Sequence, residues 1–147
     1  DGKDEAFWTN GIGNPSRNAW AGFTFEQLCK DHIKQIKQKL GITGVLTEES
    51  SWFVQGEDDE DGAQIDMVID RKDRVINICE MKFSSSGEFE IDKDYQKKLT
   101  NKMEAFRKDT GTKKNIRQTF VTTYGVKKNM YSGRVQSEVV LDDLFVE

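Results

Sequence analysis

Two neighbouring segments rich in β-branched and apolar residues constrain the fold most. Residues 63–71 (AQIDMVIDR) and 75–83 (VINICEMKF) each predict a β-strand, and the residues between them predict a tight turn. In the second segment, Cys79 and Met81 fall on one face of the strand, and Ile78 falls on the other. A strand that is apolar on both faces belongs at the centre of a sheet that is covered on both sides.

The other segments predict the layers that cover this sheet. Residues 18–40 predict a helix with an apolar stripe, followed by Gly41 as a helix stop. A second helix is predicted over 92–107. Further strands are predicted at 44–49, 52–55, 115–125 and 135–141. The order of these elements predicts an α/β fold, a central mixed β-sheet flanked by helices, in one domain over 18–147 that follows a lead-in segment, 1–17.

The composition excludes several classes of function. The chain of 147 residues carries a net charge of −4, so it lacks the strongly basic balance typical of many nucleic-acid-binding domains. Its single histidine excludes histidine-rich zinc sites, and no phosphate-binding glycine loop occurs. No apolar run approaches the roughly 20 residues that span a bilayer, so no membrane association is expected. The distant Cys29 and Cys79 predict buried free thiols in a reducing, cytoplasmic compartment.

Two opposite charges interrupt the apolar central strand. Glu80 and Lys82 are two residues apart, so they point to the same face, where buried charges are costly unless they are paired or bind an ion. If the turn is a three-residue loop, 72–74, Asp66 of the preceding strand lies opposite Glu80, with Cβ atoms roughly 4.5–5.5 Å apart. A two-residue loop would instead place Asp66 opposite Cys79, unless a bulge restored the register.

Paired carboxylates on adjacent strands favour a divalent cation. A hard ion, Mg²⁺ or Mn²⁺, removes the repulsion between Asp66 and Glu80 and prefers oxygen ligands. Such an ion acts as a Lewis acid on a phosphoryl oxygen, while Lys82 would orient or deprotonate a water molecule and balance charge in the transition state. The apolar stripe of the first helix, extended back by three residues, reaches Glu26 as a candidate ligand of a second ion or of a metal-bound water.

Glu26, Asp66, Glu80 and Lys82 are therefore the predicted catalytic residues, and the three acids among them are the predicted metal ligands. Gln64 shares a strand face with Asp66 and is a supporting candidate, as is Lys98, a possible phosphate contact on the second helix. The alternative for the same residues is a structural ion pair between Lys82 and one of the acids.

These residues resemble the motif of the PD-(D/E)XK phosphodiesterase superfamily, which includes restriction endonucleases and Holliday-junction resolvases. The similar stretches are QID (64–66) and EMK (80–82), with FE (25–26) on the upstream helix. Ile65 stands where the name-giving proline of the family would stand. The resemblance implies a restriction-endonuclease-like fold and metal-dependent hydrolysis of phosphodiester bonds. It does not supply a substrate, and DNA is the substrate that we expect.

A longer part of the chain is similar to the nuclease-type domain at the C-terminus of certain prokaryotic AAA-type ATPases. The similarity rests on WAGFTFEQLCKDHI (20–33), on residues 63–84 and on FVTTYGVKKNMYS (120–132). It implies an upstream ATP-binding ATPase module. Two functions stay open on this basis. One is an active DNA endonuclease, and the other is an inactive nuclease-fold module that binds DNA or regulates the attached ATPase.

Overall fold

The computed structural model of the chain describes residues 15–56 and 62–147. The helices in these ranges are α1 (Pro15–Asp31), α2 (Ile33–Leu40) and α3 (Lys93–Thr110). The strands are β1 (Thr47–Val54), β2 (Ala63–Arg71), β3 (Val75–Lys82), β4 (Asn115–Thr122) and β5 (Ser137–Val140). Two short 3-10 helices, Ser132–Arg134 and Leu141–Phe145, flank β5.

The strands form one five-stranded sheet in the order β1-β2-β3-β4-β5. The pairs β1/β2 and β2/β3 are antiparallel, whereas β3/β4 and β4/β5 are parallel. The parallel step from β3 to β4 is made through α3, as a parallel connection requires a long crossover. The predicted α/β fold with a central mixed sheet and flanking helices is confirmed.

Apolar side chains cover both faces of the sheet, as the pattern of β3 predicts. On one face, Cys79 and Met81 pack with Phe25 and Cys29 of α1 and with Ile36 of α2. On the other face, a second cluster joins β2, β3 and β4 to α3, through Val68, Ile76, Ile78, Phe106 and Ile116. The sheet therefore lies between two helical layers, and β3 is at its centre.

The hairpin between β2 and β3 has the register that the three-residue loop predicts. Met67 pairs with Cys79, and Asp70 pairs with Ile76. Arg74, the last loop residue, has a φ of 69°, the left-handed conformation that commonly closes such loops. The two-residue alternative, with Asp66 opposite Cys79, is wrong because Met67 occupies that position.

The first helical region differs from the prediction in two ways. Helix α1 begins at Pro15, three residues before the predicted start, because a proline at the first turn lacks only an amide hydrogen that the helix would not use. The predicted continuous helix also divides at His32, where the amide of His32 donates to the Cys29 carbonyl and the ring contacts the Leu28 carbonyl. Gly41 ends α2 with a φ of 74°, which confirms the predicted stop.

The segments predicted as two short strands at 44–49 and 52–55 form the single strand β1. Its pairing with β2 is interrupted: Ser50 pairs with Val68, whereas Trp52 pairs with Ile65. One β1 residue therefore lies opposite two β2 residues, Asp66 and Met67, which is the count of a β-bulge. The bulge lies at Ser51, between the two segments that were predicted as separate strands.

No helix in the described parts of the chain is both long enough and apolar enough to span a membrane.

Candidate functional site

Asp66 lies at the β-bulge, where β2 and β3 stop pairing through their backbones. The last ladder pair is Met67 with Cys79, one residue short of the predicted pair of Asp66 with Glu80. At this position the backbone N–H of Met81 donates instead to Oδ2 of Asp66, at 3.0 Å. Among the described residues, no donor contacts Oδ1. The bulge thus fixes a half-buried carboxylate against the central strand and leaves one oxygen available.

The bulge also corrects the simple prediction that Asp66 and Glu80 share one face by strand alternation. Ile65 packs with Val68 in the cluster beneath α3, whereas Met67 packs in the cluster beneath α1. Strict alternation would place Ile65 and Met67 together, so the extra residue at the bulge shifts the faces. Asp66 consequently lies at the opening between β2 and β3, on the side of α1.

An open cavity of about 530 Å³ lies at this opening, and it brings together three of the four predicted catalytic residues. Glu26 reaches it from α1, Asp66 from β2, and Lys82 from the end of β3. Phe23 and Ser84 also line it. Glu26 is half-buried and forms an ion pair at 2.9 Å with Lys30, one helical turn away. Residues from distant parts of the chain therefore meet at one accessible place.

Glu80 lies behind this cavity rather than in its wall. Glu80 is 1% exposed, and Oε1 of its carboxylate is 2.5 Å from Nζ of Lys102 on α3. Burial raises the pKa of Glu80, and the charge of Lys102 opposes that rise. The nearby Asp66 carboxylate raises the pKa of Glu80 further, whereas Lys82 lowers it. Glu80 is thus electrostatically linked to the cavity residues although it contacts α3.

Lys82 is half-buried, and its ammonium lies 5.5 Å from the ring centre of Tyr95, in a cation–π arrangement. In the described ranges, no carboxylate lies within ion-pair distance of Lys82. The alternative prediction, a structural ion pair between Lys82 and one of the acids, is therefore wrong. Glu80 does form an ion pair, but with Lys102. The ammonium of Lys82 is therefore not paired with any carboxylate of the described residues.

Tyr95 adds a polar group to the same region. Its hydroxyl is buried and has no hydrogen-bond partner among the described residues. Burial raises the pKa of Tyr95, and the charges of Glu80 and Asp66 raise it further. The phenol is therefore a neutral group that supports Lys82 through its ring.

The two supporting candidates are not part of the cavity. Gln64 is exposed and pairs with Phe53 at the β1 edge, and Lys98 is exposed on α3. Neither residue lines the space between Glu26, Asp66 and Lys82. The bulge at Asp66 explains the position of Gln64, because a prediction from alternation cannot be carried across an extra residue.

Sequence reasoning did not identify Lys102 as the partner of Glu80. A signal was present, since Lys102 is three residues after Leu99 and four before Phe106. Both of these apolar residues are buried, so Lys102 lies on the face of α3 that contacts the sheet. A lysine on the buried face of a helix predicts a carboxylate on the sheet that the helix covers, and Glu80 of β3 is that carboxylate.

The carboxylates are a partial ligand set for a cation. No group of three acidic, histidine or cysteine side chains in the described part of the chain is placed to hold a metal ion. Mg²⁺, however, retains several waters and is commonly bound through one or two carboxylates. Asp66 has a free oxygen on the side of α1, whereas Glu80 contacts Lys102 of α3, so a shared ion would require Lys102 to move away from Glu80.

Comparisons with known proteins give little beyond the fold. No protein-family model matches the chain, and no curated protein matches it significantly. The chain is similar to a crystal structure titled as a protein of unknown function, AF1548, with a TM-score of 0.52 and 16% sequence identity. The match covers 80% of this chain and 64% of that one, so the chain spans less than two thirds of its length. At this identity, the likeness shows the α/β fold alone.

Proposed function

We propose that the chain is a metal-dependent phosphodiesterase domain that hydrolyses DNA, with a restriction-endonuclease-like fold of the PD-(D/E)XK type. The supporting observation is the open cavity where Glu26, Asp66 and Lys82 meet from three separate elements, in front of the buried Glu80. A purely structural charge cluster has no need of an open cavity. An acid–acid–lysine set at an accessible cleft is typical of a site that handles a charged substrate.

In this proposal Asp66 and Glu80 would hold Mg²⁺ or Mn²⁺, with Glu26 contacting a metal-bound water or a second ion. The bound ion supplies a Lewis acid for a phosphoryl oxygen. Lys82 provides a positive charge for the non-bridging oxygens of the phosphate and orients the attacking water. The ring of Tyr95, whose centre is 5.5 Å from that ammonium, stabilises its charge.

The mild acidity of the chain favours a domain that depends on another part of a larger protein for much of its DNA affinity. We therefore propose, from the sequence resemblance, that it acts with an upstream AAA-type ATPase module in the cytoplasm. The two cysteines are free and buried, which fits a reducing compartment.

The direct test is cleavage of supercoiled plasmid DNA in Mg²⁺ and in Mn²⁺. The parent chain is compared with Asp66→Asn and Lys82→Ala, and cleavage is expected to fall at least tenfold in each variant. Matched controls are Asp31→Asn at the end of α1 and Lys72→Ala in the hairpin loop, both exposed and outside the cavity. The controls are expected to cleave like the parent. Cleavage that is the same in all five proteins would identify a contaminating nuclease and contradict the proposal.

The second candidate is a non-catalytic module that uses the fold to bind DNA or to regulate an attached ATPase. The observation that favours it is the ion pair of Glu80 with Lys102 at 2.5 Å, which already neutralises the most buried acid. In this case Glu80 stabilises the fold and has no ion to bind.

Calorimetry with Mn²⁺ separates the two candidates. The nuclease proposal predicts binding to the parent chain that is weakened at least tenfold by Asp66→Asn and by Glu80→Gln. The non-catalytic module predicts no binding, or binding that neither substitution changes. Circular dichroism of each variant checks that the fold persists.

A further inference from the structure

A second cavity adjoins the one that is lined by Asp66 and Lys82. It has a volume of about 670 Å³, within the usual range for ligand-binding clefts. Both cavities are lined by Asn18 of α1 and by Phe83 and Ser85, which follow β3. We call this second cavity the α1 groove. The shared lining residues place the groove beside the cavity of Lys82.

Exposed aromatic rings line both cavities. Trp20 lines the α1 groove and is 48% exposed, and Phe23 lines the cavity of Asp66 and is 62% exposed. The two are three residues apart on α1, so they are neighbours on the helix surface. Phe83, shared by both cavities, is 41% exposed and packs against Phe25 with ring centres 6.2 Å apart. Large aromatic rings left exposed together indicate a binding surface.

The chemistry of the α1 groove differs from that of the cavity beside it. Among the described residues that line the groove, none is acidic, and one, Arg17, is basic. The adjoining cavity contains the carboxylates of Glu26 and Asp66 together with Lys82. A charged site for a phosphate thus adjoins an aromatic surface to which the described residues contribute no negative charge.

We infer that the α1 groove binds an unpaired nucleobase next to the scissile phosphate, so that the preferred substrate is single-stranded DNA or DNA with an unpaired end or gap. The inference rests on the proposed phosphodiesterase function. The base is the part of a nucleotide with apolar faces, and bases of single strands stack on exposed aromatic side chains. A base within a duplex already stacks on both faces and cannot lie against Trp20 or Phe23.

The test measures DNA binding without cleavage. Fluorescence anisotropy in EDTA compares a labelled single strand of about 20 nucleotides, longer than a typical single-strand binding site, with its duplex. The full chain is compared with Trp20→Ala and Phe23→Ala, which truncate exposed rings. Each truncation is expected to weaken single-strand binding roughly tenfold, and Trp20→Phe and Phe23→Tyr are expected to restore it. The matched control is Phe53→Ala, which removes a ring that is 69% exposed on β1, away from both cavities.

Single-strand binding that is tighter than duplex binding, and that depends on Trp20 and Phe23, supports the inference whether or not the plasmid is cleaved. Equal binding of single-stranded and duplex DNA overturns the inference, as do truncations of Trp20 and Phe23 that bind like Phe53→Ala. The phosphodiesterase proposal is still supported in that case if cleavage depends on Asp66 and Lys82. Absence of any DNA binding also overturns the inference.

Discussion

Replacing Lys102 with methionine removes the cation that neutralises Glu80 while keeping a side chain of similar length on α3. Glu80 is almost fully buried, and among the described residues its one ion pair is the 2.5 Å contact with Lys102. The substitution therefore leaves a carboxylate in the core with no cation in contact. We expect a marked loss of stability, because an uncompensated buried charge is far more costly than a broken surface pair.

The magnitude follows from the burial of the two partners. Removing one partner of a buried ion pair costs about 3–5 kcal/mol. The side chain of Lys102 is 19% exposed, so water partly screens the pair, and the lower end, about 3 kcal/mol near neutral pH, is expected. For a chain of this size, this corresponds to a fall in Tm of roughly 6–12 °C. The loss is a large fraction of the roughly 5–15 kcal/mol by which domains are stable.

The loss depends on pH in a defined direction. Burial raises the pKa of Glu80 above its ordinary 4.5, so the folded chain binds the Glu80 proton more tightly than the unfolded chain does. The stability that this tighter binding contributes is fully present below about pH 4.5. It is lost as the pH rises through the pKa of Glu80 in the folded chain. In the parent, Lys102 limits this rise in pKa. Without Lys102 the rise is greater, so the destabilisation of Lys102→Met is smallest near pH 4.5 and grows towards neutral pH.

Urea denaturation followed by tryptophan fluorescence at several pH values measures this effect, with an unchanged m-value as evidence that the unfolding transition is the same. Lys97→Met is the matched control, since Lys97 is exposed on the same helix. The double variant Glu80→Gln with Lys102→Met is expected to recover part of the loss and to lack the pH dependence. A Lys102→Met variant as stable as Lys97→Met, or a loss that is the same at all pH values, would refute the reasoning.

Three further predictions follow from other parts of the structure. Tyr95→Phe removes a buried hydroxyl that has no partner in the described ranges, so it is expected to raise the free energy of unfolding by about 1 kcal/mol in urea denaturation. A loss of that size would contradict the assignment. Arg74→Gly relieves a positive φ of 69° and is expected to stabilise the hairpin by about 1 kcal/mol, with a lower Tm as the opposite result. Because burial raises the pKa of Cys29 to about 12 and also raises that of Cys79, both thiols are expected to react with a disulfide reagent near pH 8 only after unfolding, and rapid reaction of the folded chain would refute their burial.

The central strands could be predicted from sequence because their pattern has few alternatives. The two-faced apolar pattern of β3 predicts its central position, and the spacing from Met67 to Cys79 matches a three-residue loop. These two features place Asp66 near the end of β3, but its position in one cavity with Lys82 also depends on the bulge. The periodicity of α1 also indicates that Glu26 lies towards the sheet, where the structure has it lining the cavity.

The rest depends on contacts that strand and helix periodicity do not encode. The bulge at Asp66 arises in the pairing of β2 with β1, so it cannot be predicted from the sequences of β2 and β3 alone. The partner of Glu80 is set by the packing of α3 across the sheet, 22 residues away along the chain. Both features determine whether the acids can bind an ion, so the fold is easier to predict than the site.

The most direct test of the proposed site is anomalous diffraction from crystals of the chain soaked in Mn²⁺. The proposal predicts one strong peak in contact with carboxylate oxygens of both Asp66 and Glu80, at roughly 2.0–2.3 Å, with the ammonium of Lys102 displaced from Glu80. A structure at saturating Mn²⁺ with no ion at these oxygens and with Lys102 still 2.5 Å from Glu80 would contradict it.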